Sequence, residues 1–280
     1  MTGKQKTTAN LPPLSPKDDF VFRKLFGDQN HIDMVVDFLK SFVKLPDKDY
    51  AEITIADPKM VPPTKDGKTC ILDLKLRTRA GEIIHVEIQR DDTGEMRERM
   101  AVYGSYLLSA QLASGKPYKS VKRVISVLIT DFHLLDETTD YYTDFCLRNR
   151  DGSIVLTDVI EFHILELRKI PQSEDGKEVW RWLKFLSAST EEELTMLQQT
   201  YTELQKPVAR LMEMSADEIV RHQKDAWDRA RRDEEARIRL AEARGKAEVA
   251  LNLLKEGIPI SVIAKATGLS PTEIEGLPAQ

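Results

Sequence analysis

Residues 71–89 read "ILDLKLRTRAGEIIHVEIQ". Leu72, Leu74 and Leu76 alternate with Ile71, Asp73 and Lys75; farther on, Ile84, Val86 and Ile88 alternate with His85, Glu87 and Gln89. Strand side chains point alternately to two faces, so this period of two predicts two strands, each with one apolar face. "TRAG" (78–81) suits the tight turn between them, with Gly81 free to take a left-handed conformation. Pairing about that turn sets Asp73 opposite Glu87 or one step from it, on the face that also carries Gln89. Two acids side by side in a run that otherwise reads as core need a reason.

Upstream, Phe22, Leu25 and Phe26, then Met34, Val35, Phe38, Leu39 and Phe42 recur at helical spacing with a break near Gly27, which predicts two consecutive helices. "EITIAD" (52–57) reads as a short strand ended by Pro58 and the loop "VPPTKDGK" (61–68). Downstream, Met96, Met100, Tyr103, Leu107 and Leu108 form a helical stripe between Glu95 and about Ser114. "VKRVISVLIT" (121–130) then reads as a strand buried on both faces, and "SIVLTDVIEFHILEL" (153–167) as a further strand of a mixed sheet.

After Pro171 strand patterns cease. "KEVWRWLKFLS" is helical, and Thr190 with Glu193 and Ser215 with Glu218 have capping-box spacing. Residues 216–255 read as one long solvated helix laced with Arg231–Glu235, Asp233–Arg237 and Glu235–Arg239 pairs; Ile219, Trp227, Ile238 and Leu240 are too sparse for a heptad seam. "IPISVIAKATGLSPTEIEGL" gives a helix stopped at Gly268, then Ser270 as cap, Pro271 at the first helical position and Glu273 completing the box. The expected organisation is a disordered lead-in (1–16), an α/β core (17–170), a helical extension packed on it (171–215), a long charged helix (216–256) and a small helix-turn-helix-like tail (257–280).

The 280 residues are 41% hydrophobic and 31% charged, enough for a real core. No apolar run reaches the roughly 18 residues of a membrane span, and the N-terminal stretch lacks the apolar centre of a signal peptide, so a cytoplasmic location is expected. Cys70 and Cys146 match neither a disulfide framework nor CxxC metal spacing and read as buried thiols. The net charge of −5 argues against a general nucleic-acid binder, yet residues 1–130 hold 21 basic and 17 acidic side chains, and 131–280 hold 20 and 29. A basic working surface on the front of the chain is compatible with that split. No internal repeat and no phosphate-binding glycine loop is present.

An acid on one strand, followed on the next by Glu-x-Gln, is a way to hold a hard divalent cation beside a phosphate. Mg2+ takes oxygen ligands and usually only one or two carboxylates, leaving the remaining positions to water and substrate. Asp73 and Glu87 would be those ligands, the Ile88 carbonyl a third, and Gln89, on the same face, would orient the attacking water. The competing account is a hairpin with one wet face carrying Asp73, Lys75, Arg77, His85, Glu87 and Gln89. Spacing does not choose between them.

Four stretches occur in order: "DFVFRKLFG" (19–27), the 71–89 hairpin, "RMAVYGSYLLSAQLASGKPYKSVKRVISVLIT" (99–130) and "LNLLKEGIPISVIAKATGLSPTEIEGL" (251–277). Together they resemble the PD-(D/E)XK nuclease family transposases of bacteria, also called recombination-promoting nucleases. The resemblance covers most of the chain and is strongest over 17–135. It implies a restriction-endonuclease-like α/β fold, a mixed sheet flanked by helices, here with an all-helical C-terminal extension. It also implies metal-dependent DNA cleavage with Asp73, Glu87 and Gln89 as catalytic residues and Asp19, Arg99 and Tyr103 as accessory ones. Gln89 departs from the lysine of many such nucleases, although glutamine is usual in this branch; it can orient a water but brings no charge and is no base.

The function expected from these readings is a Mg2+- or Mn2+-dependent DNA endonuclease, a homodimer linked to DNA recombination or mobile elements, without an organic cofactor or a membrane. The alternative is a catalytically inactive protein of the same fold that binds DNA or another protein. A helical scaffold acting through the second half alone leaves Asp73 unexplained. His85 reads first as a hydrogen-bonded strand histidine, Tyr103 and Tyr106 as packing, and Arg90, Arg97, Arg99, Lys116, Lys119, Lys122 and Arg123 as surface charge that could also follow a DNA backbone. Asp18 and Asp19 suit a helix N-terminus. The final helix carries Glu273 and Glu275 without Lys or Arg, so it reads as a packing or self-association element rather than a DNA reader.

Overall fold

The computed structural model describes residues 12–60 and 70–277, with the backbone alone for Cys70 and Ile71. The lead-in up to Leu11, the 61–68 loop and the Cys70 thiol lie outside those residues. Of the expected disordered lead-in, Leu14 is described: it is buried in the core and its amide donates to Ser215 Oγ.

Helix α1 (Asp19–Phe26) begins where the Asp18 carboxylate accepts the Val21 amide, and it buries Val21, Phe22, Leu25 and Phe26. A 3-10 turn leads to α2 (Ile32–Lys40), followed by the single turn α3 (Asp47–Tyr50). Then come β1 (Thr54–Ile55), β2 (Lys59–Met60), β3 (Cys70–Ile71), β4 (Leu74–Arg77), β5 (Ile83–Gln89), α4 (Met96–Ser109), β6 (Val124–Thr130), β7 (Tyr142–Arg148) and β8 (Val155–Glu166). The helical remainder is α5 (Glu178–Ser187), α6 (Glu191–Thr200), α7 (Gln205–Ala216), α8 (Glu218–Lys255), α9 (Ile260–Thr267) and α10 (Pro271–Glu275).

Six strands form one mixed sheet in the order β1-β4-β5-β6-β8-β7. Its centre, β5-β6-β8, is parallel, and β4 and β7 are added antiparallel on either side. Parallel neighbours need a covering crossover, and α4 provides it between β5 and β6. On one face Leu74, Leu76, Ile84, Val86 and Ile88 pack with Ile125, Val127 and Ile129 against α1, α2, α5 and α7. The other face carries α4, whose Met96, Met100, Tyr103 and Leu107 are buried against Leu128, Ile164, Ile83 and Val124. The architecture is therefore α/β, a six-stranded mixed sheet with flanking helices and a C-terminal helical region. Strand β6 is buried at every position, as its continuous apolar run predicts.

Four sequence expectations need correction. Residues 71–77 are not one strand: β3 pairs with β2 in a separate two-stranded ribbon, the chain bends at Asp73, and Leu72 joins the α4-side cluster instead of facing with Leu74 and Leu76. The edge strand β7, half-exposed or exposed along its length, has too weak an alternation to be read. Asp217, not Ser215, caps α8, accepting the Ile219 and Val220 amides, because the Ser215 hydroxyl is engaged by the Leu14 amide and the Leu211 carbonyl inside α7. Cys146 is a free thiol but only half-buried.

The chain divides into two compact units between Arg221 and His222. In the second, Ala250, Ile263 and Ile274 form a small core. Gly268 (φ 74°) ends α9 in the left-handed region, and Ser270 and Glu273 make the expected capping box with Pro271 in the first turn of α10. Along α8, Arg231 meets Glu235 at 3.9 Å, whereas Arg237 pairs with Glu234 and Arg239 donates to the Glu235 backbone carbonyl. Among the described residues no helix is long and apolar enough to cross a membrane.

Candidate active site

The turn between β4 and β5 closes as expected: the Gly81 amide (φ 88°) donates to the Thr78 carbonyl at 2.9 Å, and the Thr78 amide to that of Glu82 at 3.0 Å. The resulting register pairs Leu74 with Val86, so one step further brings Asp73 across from Glu87. These acids do not lie on a wet face. Asp73 is 8% exposed, Glu87 3% and His85 not at all, because α4 covers this side of β5. The amphipathic-hairpin account is excluded by that burial.

Buried carboxylates are costly unless hydrogen bonds replace water. Asp73 Oδ1 receives Arg23 Nη2 at 2.6 Å and Nε at 2.9 Å, while Oδ2 accepts the Ile88 amide at 2.8 Å. Glu87 Oε2 accepts the Asp73 amide at 3.3 Å and lies 3.2 Å from His85 Nε2. Its Oε1 is 3.3 Å from Gln89 Nε2 and 3.5 Å from Arg99 Nη2. Arg99 also donates to the Tyr103 hydroxyl (3.2 Å), and the Tyr103 ring stands edge-on to His85.

The environment pushes the two acids apart. Burial, and secondly the charge of Glu87, raise the Asp73 carboxyl to about 7, against the pull of Arg23 and the Ile88 amide. Burial also pushes Glu87 upward, but the hydrogen bond and charge of His85, the Asp73 amide and Arg99 outweigh it and hold that carboxyl below its usual range. Two adjacent buried acids cannot both ionise freely without positive charge beside them.

The bend in β4 also frees a peptide edge. Ile83 donates to the Arg123 carbonyl and Gln89 accepts from the Asp131 amide, so the odd-numbered residues of β5 bond to β6 and the even-numbered ones face β4. At Ile88 the β4 ladder has already ended: the amide finds Asp73, and the carbonyl points to the same side. Two carboxylates and a peptide carbonyl are a hard oxygen set of the kind Mg2+ accepts with water completing its shell. Among the described residues no group of three or more His, Cys, Asp and Glu side chains is gathered for a metal.

Of the residues singled out from the sequence, Asp73, Glu87, Ile88, Gln89, Arg99 and Tyr103 are brought together. At the start of α1 it is Asp18 that is buried and meets Arg90 (3.4 Å), with Asp19 half-buried one residue on. Sequence reasoning missed Arg23. An arginine between Phe22 and Leu25 reads as the solvated margin of an apolar stripe, and only the packing of α1 beside the β4 bend reveals its partner. His85 was legible as a hydrogen-bonded histidine but not as the partner of Glu87.

No match is found among curated proteins or among solved structures. The model of the PD-(D/E)XK nuclease family transposases matches residues 16–241, which include both buried acids and the whole sheet on which they stand. With an acid at the bend of one strand and Glu-x-Gln on its neighbour, the chain belongs to the PD-(D/E)XK nuclease family transposases.

Proposed function

We propose that this protein is a divalent-metal-dependent DNA endonuclease that hydrolyses phosphodiester bonds in the service of DNA recombination or mobile elements. The observation that carries the reading is the Asp73–Glu87 pair, buried side by side where β4 breaks and the Ile88 peptide is left facing it. Asp73, Glu87 and the Ile88 carbonyl would hold Mg2+ or Mn2+. When bound, such a cation stabilises charge developing on the scissile phosphate and lowers the pKa of the attacking water.

The chain's own groups do the rest. Gln89 gives an N–H to Glu87, which turns its carbonyl oxygen outward to accept a hydrogen bond from the water. Arg23 holds positive charge at Asp73, and Arg99, anchored on Tyr103, holds it at Glu87. A single site cuts one strand, so cleavage of both strands of a duplex calls for a homodimer. Supporting DNA as the substrate is the family itself.

The test is plasmid nicking with Mg2+ or Mn2+, with and without chelator. Asp73→Ala and Glu87→Ala are each expected to lose at least ~100-fold in rate with unchanged circular dichroism, since either removes one of two carboxylate ligands. Undiminished nicking by either variant sinks the assignment. A second reading, a catalytically silent DNA-binding or protein-interaction module, is favoured by Gln89, which cannot act as a base or bring charge. It predicts that the wild type nicks nothing in any metal and that both variants retain their binding.

A further inference from the structure

Among the described residues, concavities lie away from the acids on both faces of the sheet. That beside β7 and β8 mixes four cations, Lys44, Arg123, Arg148 and Lys177, with four acids, Asp144, Asp158, Glu161 and Glu178. It presents no net sign to a ligand. Another, about 420 Å³, lies between β4 and the C-terminal end of α4 and carries Lys59, Lys75, Arg77 and Lys122, with no acid among the described residues that line it. Among the described residues none of these four cations is paired with a carboxylate, unlike Arg23, Arg97, Arg99, Arg123 and Arg181.

The concavity is built rather than accidental. Arg77 donates to the Gly81 carbonyl at 3.3 Å, which turns its guanidinium along the β4–β5 turn. Lys122 is fixed from both sides of its peptide: its amide donates to Gln111 Oε1 and its carbonyl accepts Gln111 Nε2, each at 2.9 Å. Its stem lies over the same turn, 3.4 Å from where a Cβ on Gly81 would stand. Lys75 is half-buried on the same strand face. Like charges crowded in a cleft with low-dielectric walls repel one another and focus a positive field outward, an arrangement that an anion relieves.

We infer that this concavity is a second phosphate site, for the backbone of the nucleic-acid strand whose scissile bond lies at Asp73 and Glu87. The inference rests on the nuclease reading above and deepens it. Arg77 lies four residues along the chain from Asp73, beyond the bend, so at most ~13 Å away at about 3.3 Å per residue. A strand of duplex advances ~3.4 Å per nucleotide along its axis, so the second contact falls within ~4 nucleotides of the first. Tyr103, against His85, and Leu107, in the lining, belong to one apolar cluster with Ile83, so one rigid patch fixes both positions.

The test is fluorescence anisotropy of a labelled ~30-base-pair duplex under chelator, so that nothing is cut, across a salt series. Each phosphate contact contributes about 0.9 to the slope of log affinity against log salt. Lys75→Gln/Lys122→Gln is expected to flatten that slope by about 1.8, and the exposed Lys122→Gln alone by about 0.9. Lys44→Gln/Lys177→Gln removes the same charge from the other face and is expected to leave the slope unchanged. A wild-type slope in the Lys75/Lys122 variant, with nicking by the wild type intact, overturns this inference and spares the nuclease reading. Thermal stabilisation by inorganic phosphate that the variant loses, with the DNA slope intact, would assign the concavity to a small phosphate ligand and also overturn it. A wild type that neither binds nor nicks DNA removes the nuclease reading itself, and this inference with it.

Discussion

At Asp73 a bend, an ion pair and a raised pKa share one cause, a carboxylate placed where the sheet would have continued. In the metal-free protein its folded-state pKa of about 7 lies above the ordinary value near 3.9. A carboxyl raised in this way contributes stability that is complete below about pH 4 and is lost as pH rises through 7. Glu87, held low, has the opposite sign, and its effect is confined to pH below its ordinary value near 4.3. We therefore expect this contribution to the melting temperature to fall between pH 5 and pH 8 under chelator, to be flatter across that interval in Asp73→Asn, and to fall less with saturating Mg2+, which favours the ionised acid. A decline of equal size in Asp73→Asn would refute the attribution. Gln89→Lys is the complementary experiment: a lysine there would meet Glu87 and add charge beside the phosphate, so metal-dependent nicking is expected to be kept or raised. Complete loss, with metal binding intact, would show a contact that only the amide makes. The acids themselves were legible because strand alternation fixes which side chains share a face; Arg23 was not, because its partner lies fifty residues away on another element.

Among the elements, α4 does most to define the site, since it buries His85 and Glu87 and brings Arg99 and Tyr103 to them. Its close approach depends on Gly104, where an added Cβ would stand 3.0 Å from both Ile160 Cδ1 and Phe162 Cε1 of β8. Gly104→Val would wedge the helix away from the sheet, and we expect a loss of ~1–3 kcal/mol in urea unfolding together with reduced nicking. A variant as stable as the wild type would mean that β8 yields more easily than its packing implies. The strongly periodic elements, α1, α2, α4, β5 and β6, could be read from the sequence because each buries a continuous stripe or run. Strand β7 could not, since an edge strand has no second neighbour to impose an apolar pattern. The break between β3 and β4 was hidden for another reason: the alternation of Leu72, Leu74 and Leu76 continues through a point where the backbone turns to let Asp73 reach the Ile88 amide.

For the molecule as a whole, charge counted along the chain indicated a mildly basic front but could not locate it; the fold gathers Lys59, Lys75, Arg77 and Lys122 from three strand margins into one concavity. The C-terminal end differs. Residues 258–280 contain one basic residue, Lys265, and the acids Glu273 and Glu275. Deleting them should leave the salt dependence of DNA binding unchanged and shift sedimentation toward smaller species, if the tail serves assembly. A flatter salt slope with the oligomer intact would instead place phosphate contacts there. The bend at Asp73 has one more implication, for the history of such chains. A β-branched residue at 73 would let the strand run on beside Ile88 and would remove one of two crowded acids, but it would also strip the Arg23 guanidinium of its carboxylate. If the site cuts as proposed, a lineage released from selection for cutting is expected to straighten the strand there only together with a change at Arg23.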